Sequence, residues 1–108
     1  MKIKSFLLFA ILFSTLAMQA QNGVIRGIVY NALNNEPLPF AAVLIKGTQM
    51  GATTDADGKY EIKNIAPGLY NLEAQFIGFK TKAVFEVQVT NSKPTELNFP
   101  LEEESQQL

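Results

Sequence analysis

Side chains that usually perform chemistry are scarce in this chain of 108 residues, which has no His, no Cys and no Trp. General acid–base catalysis near neutral pH most often uses His, and thiolate nucleophiles and zinc–thiolate sites need Cys. Beyond the first twenty positions the only serines are Ser92, in a turn pattern, and Ser105, in an acidic tail. A serine nucleophile needs a general base, and His is absent. Paired carboxylates remain. Asp55 and Asp57 form the one close pair inside the patterned region, in the run Asp55-Ala56-Asp57-Gly58. That run also resembles the start of a calcium loop. Counting Asp55 as position one, however, position five is Lys59 and position twelve is Ala66. An EF-hand loop needs an oxygen ligand at five and a bidentate Glu at twelve. A strand-to-strand turn is the simpler reading, since Asp caps neighbouring backbone N–H groups and Gly tolerates positive φ. No catalytic, cofactor or metal site is expected, and the chain is read as a non-enzyme.

Binding chemistry is the alternative. The formal net charge is −1, and Lys46, Lys59, Lys63, Lys80 and Lys82 are scattered, so no basic footprint for nucleic acid is present. Most aromatics fall at inward positions of alternating runs. Phe40 and Phe79 are the exceptions, each beside a turn, and are the candidate contacts for a partner protein or a sugar ring. Packing against the end of the fold is the competing explanation for both.

These residues must be positioned by short strands. The first twenty residues stand apart: Lys2 and Lys4 precede an uncharged apolar run, Phe6 to Ala17, with small residues at Ala17 and Ala20. The run is shorter than the roughly 20 apolar residues of a membrane span. Its order is that of a secretory signal peptide. Cleavage after Ala20 puts Met18 at the third position back, and cleavage after Ala17 puts the smaller Thr15 there. An uncleaved anchor is the alternative. Removal of residues 1–20 takes two lysines and leaves 88 residues with a net charge of −3. So small a domain buries only about 60–65% of its unfolded surface, and it has no disulfide to help.

Beyond the leader, turn signals separate short β-rich runs. Strands are expected at Val24–Tyr30, Ala41–Lys46, about Ala52–Thr54, Tyr60–Lys63, Leu69–Phe76, Lys82–Thr90 and Thr95–Leu101. The clearest is Leu69–Phe76. Tyr70, Leu72, Ala74 and Phe76 share one face, and Leu69, Asn71, Glu73 and Gln75 the other, as in a half-buried antiparallel strand. In the next run Phe85, Val87 and Val89 should face in, with Glu86 and Gln88 out. In the last, Leu97, Phe99 and Leu101 should face in. The expected core is Ile25, Val29, Ala41, Val43, Ile45, Tyr60, Ile62, Tyr70, Leu72, Ala74, Phe76, Phe85, Val87, Leu97 and Phe99. The tail Glu102–Leu108 is polar, has no core to join, and reads as a linker or frayed end. The division is thus a leader over 1–20, a two-sheet sandwich over 21–101 and an acidic tail over 102–108.

Several short patterns carry a resemblance. Gly27-Ile28-Val29 is followed by Pro37-Leu38-Pro39-Phe40-Ala41-Ala42-Val43-Leu44-Ile45-Lys46-Gly47-Thr48. Then come Gly51, Thr54, Asp55, Asp57, Gly58 and Tyr60, and last Pro67-Gly68-Leu69-Tyr70-Asn71-Leu72 with Ile77-Gly78-Phe79. From about Val24 to Leu101 the chain resembles the carboxypeptidase regulatory-like domain. That resemblance implies an all-β, seven-stranded Greek-key sandwich akin to transthyretin. A copy placed directly after a signal peptide resembles the periplasmic N-terminal extension of TonB-dependent outer-membrane nutrient receptors. It implies a protein partner in the cell envelope, either the receptor's plug and barrel or a component of the TonB system. Docking by an exposed edge strand is the mode considered, with Val24–Tyr30 or Lys82–Thr90 as the edge. Such a receptor continues with a TonB box, a plug and a barrel. The 108 residues contain none of these, so the chain is read as an excerpt, a truncated product or a freestanding domain. A freestanding secreted module binding carbohydrate or matrix is the alternative function.

Overall fold

The computed structural model describes residues 22–105. The leader expected over residues 1–20 lies outside them, as does the end of the tail. Among the described residues eight strands follow one another: β1 (Gly23–Asn31), β2 (Ala42–Ile45), β3 (Gly51–Thr53), β4 (Lys59–Ile65), β5 (Gly68–Gln75), β6 (Lys82–Val89), β7 (Thr95–Glu96) and β8 (Phe99–Leu101). They form two sheets. In the first, β1 is flanked by β4 on one side and by β7 and then β8 on the other; the second runs β3-β2-β5-β6. The second sheet is antiparallel throughout. The first is mixed: β4 is antiparallel to β1, whereas β7 and β8 lie parallel to it. β1 is therefore a central strand, which removes it from the two expected edges. β6 is an edge.

Alternation along each strand builds the core. Ile25 and Val29 from β1, Tyr60, Ile62 and Ile65 from β4, and Phe99 and Leu101 from β8 meet Val43, Ile45, Leu72, Ala74, Val87 and Val89 from the opposite sheet. Leu38 and Ala41 close it from the loop before β2. Most of the expected core is buried, but Tyr70, Phe76 and Leu97 are only partly so, packed at its margin. Leu38, Ile65, Val89 and Leu101 join it in addition.

Phe85 is the clear correction, being 69% exposed. Tyr70 of β5 pairs with Val87, but Leu72 pairs with Val84 rather than with Phe85. One extra residue of β6 is therefore accommodated opposite Asn71. Glu86 takes a positive φ of 56° there, and its N–H donates to Asn71 Oδ1 at 3.1 Å. A bulge shifts the period-two pattern by one, so Val84 points in and Phe85 points out.

The last expected strand is interrupted. Between β7 and β8, Leu97 and Asn98 leave the ladder and press against Gly27. Leu97 N–H donates to Arg26 O at 2.9 Å, and the Asn98 side chain accepts from Ile28 N–H at 3.0 Å. A Cβ on Gly27 would stand 1.8 Å from Leu97 O, far inside contact distance. Elsewhere the expected turn forms: Asp55 Oδ1 accepts from the N–H groups of Asp57 and Lys59, both at 2.9 Å, and Gly58 has φ 73°. Where the chain crosses between sheets from β4 to β5, the Tyr70 hydroxyl donates to Ala66 O at 2.5 Å. The start of the acidic tail also finds partners. Lys80 N–H donates to Glu102 O at 2.8 Å and Glu104 N–H to Gly78 O at 2.9 Å, so these residues are tied down rather than frayed.

Tyr60 gives the fold a pH dependence. Its ring lies 6.0 Å from that of Phe99, and its hydroxyl donates to Leu97 O at 2.6 Å. Burial, and then the charge of Glu96, push its ionisation well above the ordinary tyrosine value. A phenol with a raised folded-state pKa contributes stability that is intact below the unfolded value of about 10 and lost as pH rises past it. Stability should therefore fall above about pH 10. Tyr60→Phe should flatten that alkaline limb while costing about 1 kcal/mol near neutrality. Urea midpoints measured across the alkaline range check this; an unchanged limb in the variant would contradict it.

Candidate functional site

Of the carboxylate pair, Asp55 has a structural job. Asp55 spends one oxygen on two backbone N–H groups of its own turn. Among the described residues, no three His, Cys, Asp or Glu side chains gather. The Ser92 hydroxyl lies 3.2 Å from that of Thr90, which is no general base. On the outer face of the second sheet, Lys46 meets Glu73 at 3.0 Å. Hydrogen bonds from Lys46 and then Gln75 hold the Glu73 carboxyl below its ordinary value.

The binding candidates lead to one end of the second sheet. Leu38 and Ala41 are buried, which forces the two residues between them outward. Phe40 is 78% exposed and has a φ of 62°. A bulky residue in the left-handed region costs on the order of 1–3 kcal/mol and persists only when its surroundings impose it. Here the surroundings are Thr54, which is 2% exposed. Its hydroxyl donates to Leu38 O at 2.6 Å and accepts from Ala41 N–H at 2.8 Å. Its backbone accepts from Phe40 N–H at 3.1 Å and donates to Ala41 O at 2.9 Å. Four hydrogen bonds from one buried threonine thus fix the loop that presents Phe40.

Phe40 forms the wall of an open groove of about 630 Å³, with Pro39, Phe76, Ile77 and Thr81. Ile77 sits at the apex of the turn from β5 to β6, closed by Phe79 N–H donating to Phe76 O at 3.0 Å, and is 91% exposed. Phe79 does not line this groove. It is half-buried against the core, with its ring edge-on to Phe76 at 5.4 Å. The two aromatics singled out from sequence therefore differ: Phe40 is presented, and Phe79 supports Phe76. A smaller depression of about 470 Å³ lies over Ile28, Tyr30, Pro37 and Asp57. Its largest aliphatic side chain, Ile28, is only 36% exposed, so it offers a partner less apolar surface. Ile77 and Thr54 stood among the motif residues of the sequence but were given no role at a site. Ile77 lies one residue past the alternating run Leu69–Phe76, and its place just before Gly78 marks a turn apex. A threonine before an aspartate carries no hydropathy signal for burial.

The model of the CarboxypepD_reg-like domain family matches residues 25–108. TonB-dependent receptor P39 of Formosa agariphila is 35% identical over 69 residues, which are 64% of this chain and 6% of the receptor. The chain thus spans a small fraction of that relative's length. A type II cohesin–X–dockerin complex from Acetivibrio cellulolyticus contains a chain with a TM-score of 0.62 at 24% identity, covering 73% of this chain and 56% of that one. A putative carbohydrate binding protein from Bacteroides uniformis gives a TM-score of 0.59 at 16% identity, covering 76% of this chain and 42% of that one. At such identities these structures speak for the sandwich fold alone.

Proposed function

We propose a function for this chain from one premise: it belongs to the CarboxypepD_reg-like domain family. It acts as a non-catalytic docking module of a TonB-dependent outer-membrane receptor, exported behind the leader at residues 1–20 and standing on the periplasmic side ahead of the plug and barrel. The observation that carries this reading is the 35% identity to a TonB-dependent receptor of which the chain covers 6%. The family fold hosts many functions, so the site must supply the rest. What the site offers is a rigid sandwich with a presented apolar groove, which suits binding to a protein surface better than turnover of a small molecule.

An antibody raised to residues 21–101 tests the reading on fractionated envelopes of the native cells. The expected result is an outer-membrane band many times heavier than 108 residues can account for. A small band in the periplasm or medium would require the reading to be withdrawn in favour of a freestanding module. The exposed Phe40 ring supports a second reading, in which the groove stacks against a sugar. Calorimetric titration with glycans distinguishes the two, and we expect no saturable heat.

A further inference from the structure

We infer that the end of the sandwich from which the chain leaves is an interdomain face, covered by the folded domain that follows in the same polypeptide. The inference rests on the receptor reading above and names the partner of its groove. The exit segment, Leu101 to Glu104, runs between two loops. On one side Ala32 N–H donates to Leu101 O at 2.8 Å and Asn31 Nδ2 to Glu103 Oε1 at 3.1 Å. On the other, Lys80 N–H donates to Glu102 O at 2.8 Å and Glu104 N–H to Gly78 O at 2.9 Å. The chain therefore emerges at a fixed place, between the loop after β1 and the turn before β6.

The three most exposed large hydrophobic side chains among the described residues surround that place: Ile77 at 91%, Leu33 at 86% and Phe40 at 78%. Leu33 follows Ala32, which binds Leu101. Ile77 precedes Gly78, which binds Glu104, and Phe40 shares the groove of Ile77. The other exposed large hydrophobics, Ile28, Leu44, Leu69 and Phe85, lie on strands and are each less exposed. Scattered apolar side chains are ordinary on a surface, but a cluster around one point marks a contact. Whatever follows the exit segment is held beside the cluster by a short tether. A small apolar contact then suffices, because its effective concentration is in the millimolar range. Glu36, Glu102 and Glu104 lie at this end and are exposed; Lys80, 4.0 Å from Glu102, offsets one of these charges, and the acidic remainder calls for a matching face with an apolar centre and Lys or Arg at its rim.

Photo-crosslinking of the full-length protein in its own cells tests the inference. p-Benzoylphenylalanine is placed at position 77 and, separately, at position 33, with position 85, an exposed site on β6, as the control. The expected result is a crosslink within one polypeptide, mapped by peptide mass spectrometry to residues beyond 108, in a yield several-fold above that from position 85. A crosslink to a different polypeptide, or yields no higher than the control, would overturn the inference. A heavy outer-membrane band in that same experiment would leave the receptor reading standing. A polypeptide no longer than this chain would sink both.

Discussion

Gly27→Ala should destabilise the domain by at least about 3 kcal/mol. The added methyl would sit 1.8 Å from Leu97 O and 3.0 Å from Asn98 Oδ1. A clash with a flexible side chain is relieved by rotation, but the carbonyl belongs to the backbone linking β7 to β8. Relief requires that linker to withdraw, which would break the bonds from Leu97 N–H to Arg26 O and from Ile28 N–H to Asn98 Oδ1. Overpacking alone costs about 1–3 kcal/mol, and the lost hydrogen bonds add to it. A total of at least about 3 kcal/mol is a large share of the roughly 4–12 kcal/mol expected for a domain of this size. Circular dichroism and urea denaturation of the purified chain read the outcome. A variant within about 1 kcal/mol of the parent would mean that the linker is free to move.

Thr54→Val should cost about 2–4 kcal/mol although it changes side-chain volume very little. The hydroxyl serves two buried backbone groups, Leu38 O and Ala41 N–H. A methyl leaves both without a partner, at about 1–3 kcal/mol each, less whatever relaxation recovers. Thr54→Ser keeps the hydroxyl and loses only a methyl, for about 1 kcal/mol. The two variants therefore separate the hydrogen bonds from the packing. The valine variant should also release the backbone of residues 38–41, so amide exchange at Phe40 and Ala41 should accelerate well beyond that of the β5 amides. Equal urea midpoints for valine and serine would remove Thr54 from the account of why Phe40 is presented.

The parts of the fold legible in sequence were those governed by uninterrupted alternation. Leu72 and Ala74 are buried as read, because β5 itself inserts no extra residue. Phe85 was not legible, because its direction depends on a bulge fixed by the Asn71 side chain on a different strand. The central position of β1 was equally hidden. Its outward residues, Arg26 and Ile28, look the same whether the strand has one neighbour or two, and the second neighbour is supplied from some seventy residues away. The interruption at Leu97 and Asn98 is of the same kind, a tertiary contact with Gly27 rather than a local preference. At the candidate site, Phe40 was found through its place beside a turn. Ile77 was missed because, although the strand was read as ending at Phe76, hydropathy does not say whether an apolar turn residue folds back on the core or projects from it. The short motifs behind the family resemblance gain physical reasons here: Gly27 admits a carbonyl, Thr54 clamps a loop, and Asp55 caps a turn.

The parallel pairing of β1 with β7 and β8 has a mechanical consequence. β1 begins at Gly23, and the chain leaves just past Leu101, which pairs with Asn31 at the far end of β1. Tension drawn between these two ends runs along the strands in opposite directions. It loads the contacts at Ile25–Thr95, Arg26–Glu96, Val29–Phe99, Tyr30–Pro100 and Asn31–Leu101 together, in shear, instead of peeling them one after another. Resistance to force is a matter of unfolding rate, and shear geometry makes that rate low for a given stability. A small sandwich without disulfides can then hold its shape in a polypeptide that is pulled on, and pass the pull to its neighbour undiminished.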